Sequence, residues 1–153
     1  GKGIALSIRT KYLQVYSDYK SYCANNTNLL GQVIYTKIAE DLIIASAFTQ
    51  QYYGNKPEVY VSYEAIAQVF HTIQEDLIYS DRTDLVIKIP KIGTGLANGD
   101  WNIIKPIIES TITTNHLLLF VKWNNCLHTN AWFPHELAIR FPSDKKEKNN
   151  EPD

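Results

Sequence analysis

The sequence predicts an α/β fold with a mixed, mainly parallel sheet sandwiched between helices. Three observations predict it. The chain has 153 residues, of which 44% are hydrophobic, enough for one domain with a single sizeable core. Segments with the period of a helical face alternate with short runs rich in β-branched residues. One of those runs, Leu85 to Ile89, is almost wholly apolar, as a strand covered on both faces must be, and it leads into a glycine-rich loop.

The elements follow in order. Ile4, Ile8, Tyr12, Tyr16, Tyr19 and Cys23 fall at three- and four-residue steps, predicting a helix from Ile4 to about Cys23, ended by Asn25-Asn26-Thr27-Asn28. Gln32 to Ile38 reads as a strand, Ala39-Glu40-Asp41 as a turn and Leu42 to Phe48 as a buried strand, together a hairpin. Gln50 to Pro57 is loop. Ser62 is placed to cap a helix running to about Leu77, with Ile66, Phe70, Ile73 and Leu77 on one side. After the strand to Ile89 comes the loop Pro90 to Asp100. Either Asn98 or Asp100 can cap the next helix, Trp101 to about Ile112, in which Pro106 predicts a kink or an irregular start. Leu117 to Lys122 reads as a further buried strand. Asn124 to Phe141 shows no clear pattern, and Ser143 to Asp153, almost all charged or polar, reads as a disordered tail.

A net charge of −1 supplies no field for steering toward nucleic acid or an anionic membrane. A small anion held by backbone amides stays open. The two cysteines, Cys23 and Cys126, are not at C-x-x-C spacing, and two buried thiols in a reducing compartment are expected. His71, His116, His128 and His135 form no metal-ligand spacing, and no metal is expected. No run reaches the roughly 18 apolar residues of a membrane span. With no secretory leader before Gly1, a soluble protein of the cytoplasm or nucleus is expected.

Three segments could carry chemistry. Pro90-Lys91-Ile92-Gly93-Thr94-Gly95-Leu96-Ala97-Asn98-Gly99-Asp100-Trp101 follows a strand and opens a helix. Its glycines allow close backbone approach, and the helix start adds partial positive charge, so it is a plausible diphosphate cradle. No Gly-Lys-Ser/Thr ends it, so it is not a Walker loop, and its third glycine is one place late for the dinucleotide fingerprint. Taken alone, it could equally be a structural turn. Gly1-Lys2-Gly3-Ile4-Ala5 places a glycine pair before a helix; by itself that is an ordinary helix start. Phe48-Thr49-Gln50, followed by Gln51-Tyr52-Tyr53-Gly54, ends a buried strand with small polar groups, where α/β sheets place ligands.

Together these segments resemble the macrodomain family, in its bacterial, phage and yeast-like branch. That branch carries G-x-G-[IV]-A, then F/I-T-Q-x-x-Y-G, Y-x-S-Y-x-A-I and P-K-I-G-x-G-L-x-x-G-D-W. They stand here at Gly1 to Ala5, Phe48 to Gly54, Tyr60 to Ile66 and Pro90 to Trp101. The resemblance spans roughly Gly1 to Leu119.

It implies a domain that binds ADP-ribose, with removal of a phosphate or an ADP-ribosyl ester at the terminal ribose, and with no metal or other cofactor. It implies that Gly1, Lys2, Gly3, Ile4 and Ala5 wrap the distal ribose and diphosphate. Ile92, Gly93, Thr94, Gly95 and Leu96 would form the opposing phosphate loop, and Thr49, Gln50 and Tyr53 the wall near that ribose. Some relatives attack the ribose with a strand-end lysine; Gln50 stands in that place and Ala97 in that of its partner aspartate, so this route is not expected. The resemblance assigns no other catalytic group, and Asp100 reads as a helix cap. The family's adenine-reading Asp, and an Asn in the segment just before the glycine pair, belong to two leading strands, so such strands are expected upstream of Gly1. The expected organisation is residues 1–123 as a macrodomain lacking its first strands, 124–142 as an irregular extension and 143–153 as a tail. The expected function is hydrolysis of ADP-ribose 1″-phosphate or of ADP-ribosylated protein. The alternatives are a non-catalytic ADP-ribose reader and an inactive truncated domain.

Overall fold

The computed structural model describes residues 4–40, 42–52, 56–80, 85–114, 117–120 and 136–140. Two helices, α1 (Ile4–Lys11) and α2 (Leu13–Asn25), precede a hairpin of β1 (Val33–Ala39) and β2 (Leu42–Ala47). Then come α3 (Tyr63–Tyr79), β3 (Val86–Ile89), α4 (Trp101–Thr111), β4 (Leu117–Phe120) and β5 (Glu136–Arg140). The strands form one sheet in the order β1-β2-β5-β3-β4.

The α/β class holds, but the pairing is less parallel than expected. β3 pairs β4 in parallel, whereas β1–β2, β2–β5 and β3–β5 are antiparallel. The cause is β5, which lies between β2 and β3 and runs against both. β2, β3 and β4 therefore point the same way, and their carboxyl ends share one edge of the sheet. The segment 124–142 is accordingly not irregular throughout, since five of its residues pair Leu42↔Arg140 through Ser46↔Glu136 on one side and Val86↔Arg140 through Lys88↔Ala138 on the other. The expected tail, 143–153, lies outside the described residues.

Alternation along the strands divides two cores. Ala45 and Ala47 of β2 and Ile87 and Ile89 of β3 meet Ile66, Val69, Phe70 and Ile73 of α3 and Ile104 and Ile108 of α4. Ile44, one residue out of phase, meets Ile8 of α1 and Val15 of α2 on the opposite face. Helices thus cover both faces. Each fully buried Ile or Phe contributes about 1.5–3 kcal/mol relative to exposure.

α3 begins where Ser62 accepts a hydrogen bond from the Ala65 amide at 3.1 Å, the expected cap. The amino-terminal helix, expected to be continuous, breaks at Tyr12 (φ −131°, ψ 76°). Neither Pro nor Gly marks the break. Ile8 and Val15, one on each side of the break, both bury against Ile44. Conversely α4 is one continuous helix from Trp101 through Pro106 to Thr111, with no irregular start. Pro106 is exposed, so the Asn102 carbonyl it leaves without a donor faces solvent rather than the core, and buried Ile104 and Ile108 hold the helix to the sheet. Among the described residues no helix is long and apolar enough to cross a membrane.

Candidate functional site at the carboxyl ends of β2 and β3

β3 ends in the loop 90–100, whose shape follows from two residues with left-handed backbone, Gly93 (φ +73°) and Asn98 (φ +54°). The Asn98 amide donates to the Gly95 carbonyl at 3.0 Å and the Gly99 amide to the Gly93 carbonyl at 2.7 Å, folding the loop on itself. Asp100 then caps α4: its carboxylate accepts from the Asn102 amide at 2.8 Å, while its own amide donates to the Tyr63 hydroxyl at 3.1 Å. Of the two capping candidates, Asp100 takes the part.

The three glycines serve different ends. A Cβ on Gly93 would lie 2.9 Å from Val61 Cγ2, and one on Gly99 only 2.5 Å from the Gly93 carbonyl oxygen and 2.6 Å from Val61 Cγ1. Both are required by close packing. A Cβ on Gly95 would meet nothing within 4 Å. Gly95 therefore marks the open surface of the loop. Among the described residues, hydrogen bonds engage the amides of Ile92, Asn98 and Gly99, and none engages those of Gly93, Thr94, Gly95, Leu96 or Ala97. That leaves a run of consecutive N–H donors for an anion.

β2 ends beside this loop. Tyr60, Val61 and Ser62 join the two: the Ser62 amide donates to the Thr49 carbonyl at 2.8 Å, Val61 bridges Gln50, and the Tyr60 and Val61 amides donate to the Ala97 carbonyl at 2.8 and 3.3 Å. Thr49 is wholly buried, and its hydroxyl has no partner among the described residues. Gln50 donates from Nε2 to the Tyr52 carbonyl at 3.2 Å.

The structure thus links Thr49 and Gln50, through Tyr60, Val61 and Ser62, to Ala97 and Gly93 of the loop that also carries Ile92, Thr94, Gly95 and Leu96. Ile4 and Ala5 open α1, which covers β2 from the opposite face to α3 and α4. Gly1, Lys2, Gly3 and Tyr53 lie outside the described residues. Sequence reasoning missed Val61 and Tyr63 as parts of the site. Both sit in the Tyr60 to Ile66 motif, which carried the signal without the contacts. His71 is exposed and 3.5 Å from Glu75; Cys23 is a half-buried free thiol. His116, His128, His135 and Cys126 lie outside the described residues. Among the described residues no three His, Cys, Asp or Glu side chains gather as a metal site. A separate open polar cavity of about 330 Å³ lies between α2 and edge strand β1, lined by Asp18, Ser21, Tyr22 and Tyr35 among others. It lies on the β1 side of the end of β2, where Tyr22 stands 5.8 Å from Phe48 between ring centroids, and Asp18, Tyr22 and Tyr35 already bond within the fold, to Thr36, Gln32 and Asp76.

No family model matches the chain. It is similar to the ADP-ribose 1″-phosphate phosphatase of Lodderomyces elongisporus, 27% identical over 116 residues that cover 71% of each chain. It is also similar to the phosphatase of the same name from Candida albicans, 30% identical over 106 residues, 66% of this chain and 67% of that one. Among solved structures, a macrodomain protein from Streptomyces coelicolor matches with a TM-score of 0.63 at 24% identity, covering 82% of this chain and 80% of that one. A Bacteroides thetaiotaomicron protein of unknown function matches at 0.68 and 24%, covering 80% of this chain and 79% of that one. The glycine loop on a central strand, the helices on both faces and these likenesses converge: the chain belongs to the macrodomain family.

Proposed function

We propose that this chain binds ADP-ribose through the loop 92–96 and the end of β2, and hydrolyses a group from its terminal ribose, with ADP-ribose 1″-phosphate as the first substrate to test. One observation carries the binding reading: the five consecutive amides from Gly93 to Ala97 have no partner within the described fold, and they surround the one loop glycine with open space beside it. A diphosphate satisfies such donors without any cationic side chain. The buried Thr49 hydroxyl, also unpartnered, offers a further polar group at the same end of the sheet. The two fungal phosphatases support the choice of substrate. ADP-ribosylated protein is the second candidate, and the cytoplasm or nucleus is the compartment that fits either.

A non-catalytic reader is the competing reading, favoured by a specific observation. Asp100, the only carboxylate in the loop 90–100, is engaged in capping α4. Calorimetric titration with ADP-ribose tests binding; absence of heat at millimolar ligand rejects both readings. Phosphate release from ADP-ribose 1″-phosphate then separates enzyme from reader.

A further inference from the structure

Asn98 is exposed and is one of only two non-glycine residues among those described with positive φ. An L-residue other than Gly occupies this region at a cost, and Asn tolerates it better than most. Its side chain does more than tolerate it. Nδ2 donates to the Glu58 carbonyl at 2.7 Å and to the Lys56 carbonyl at 3.1 Å, some forty positions back in the chain. The preceding carbonyl, of Ala97, accepts from the amides of Tyr60 and Val61. Two adjacent loop residues thus hold the segment 56–61 by four hydrogen bonds, two through backbone and two through one carboxamide.

We infer that Asn98 is a positioning residue for the anion-binding loop. Its left-handed backbone reverses the chain between Gly95 and Gly99, and its carboxamide ties that reversal to 56–58. The amides of Gly93 to Ala97 are thereby held without internal partners and ready for a ligand. Asn98 need not touch the ligand. Its effect is preorganisation, which raises affinity by removing the ordering cost from the binding step. The role in ligand binding rests on the ADP-ribose reading; the role in holding the loop does not.

Two variants separate backbone from tether. Asn98→Gly keeps the left-handed backbone at little cost and removes the carboxamide. Asn98→Asp keeps the tolerance for that conformation but turns a carboxylate toward two carbonyl oxygens. In calorimetric titration of the full chain with ADP-ribose, Asn98→Gly is expected to weaken binding about tenfold and Asn98→Asp further, with the melting temperature of the glycine variant unchanged. A merely structural role would lower the melting temperature and leave the affinity of the folded protein intact. Affinity of Asn98→Gly within about twofold of wild type overturns the inference. Hydrogen exchange at the amides of Tyr60, Val61 and Gly99 is the second readout. Faster exchange in Asn98→Gly supports the tether, and equal exchange refutes it. If wild-type protein shows no heat with ADP-ribose, the functional reading fails and exchange alone decides the part played by Asn98.

Discussion

Gly99 lies directly against Gly93: its amide donates to the Gly93 carbonyl at 2.7 Å, and a Cβ at position 99 would intrude to 2.5 Å from that same oxygen. The bond and the missing side chain are two aspects of one close approach. Gly99→Ala should therefore destabilise the fold by about 1–3 kcal/mol, the usual range for overpacking a filled site. Gly93→Ala should add the cost of left-handed backbone, about 1–2 kcal/mol. Gly95→Ala should stay within about 0.5 kcal/mol of wild type. Urea denaturation of the three variants checks the order, and a Gly95→Ala loss as large as that of Gly99→Ala would show that the loop is packed differently.

Gly95→Glu separates binding from stability. Nothing in the fold stands where the new side chain begins, so the melting temperature should hold. ADP-ribose affinity should fall by about a hundredfold or more, because a carboxylate would share the space and the donors of a diphosphate. Unchanged affinity in titration would place the ligand elsewhere.

Asp100 offers a direct test of capping against catalysis. The helix start needs an oxygen acceptor for the Asn102 amide, which Asn supplies nearly as well as Asp. Asp100→Asn should leave both melting temperature and phosphate release close to wild type, whereas Asp100→Ala should cost about 1 kcal/mol of stability. Loss of turnover in a well-folded Asp100→Asn protein would assign the carboxylate to the chemistry instead.

Tyr35 ties the edge strand to α3, its hydroxyl donating to Asp76 at 2.5 Å. Burial first, then the hydrogen bond to Asp76 and its negative charge, push the phenol above its ordinary value. The folded state thus holds this proton more tightly than the unfolded chain. The stabilisation is complete below about pH 10, where an unfolded tyrosine begins to ionise, and it is lost as pH rises from there toward the folded value. Tyr35→Phe should cost about 0.5–1.5 kcal/mol at neutral pH, since exposed Asp76 is left hydrated. It should also show a shallower loss of stability above pH 10 in denaturant titrations. Parallel alkaline slopes for the two proteins would contradict this.

Much of this architecture was legible in the residues. The hairpin, α3 with its Ser62 cap, β3, the glycine loop and α4 each carry a local signal: alternation, a capping hydroxyl, an apolar run or a cluster of glycines. What escaped was set by partners distant in sequence. The break at Tyr12 is announced by neither Pro nor Gly, and it falls between Ile8 and Val15, which both pack on Ile44. The continuity of α4 through Pro106 depends on Ile104 and Ile108 being buried beneath it. β5 has no strong pattern of its own and is defined by the ladders on either side. At the site, the motif singled out the right loop but could not sort its glycines. That distinction depends on Val61 and Ile104, whose side chains fill the space beneath Gly93 and Gly99.

The place of β5 has a consequence for biosynthesis. Leu42 must wait for Arg140, and Val86 waits for the same residue. As the ribosome delivers the chain from its amino end, the hairpin and the β3–β4 pair emerge as separate halves. Each exposes a row of unmet backbone donors and acceptors on the edge meant for β5. Closure of the sheet is then a late, long-range event rather than a local one, and such closures are slow. Until it happens, the nascent protein has two adhesive edges facing each other, and chaperone holding or a crowded polysome would act on it there.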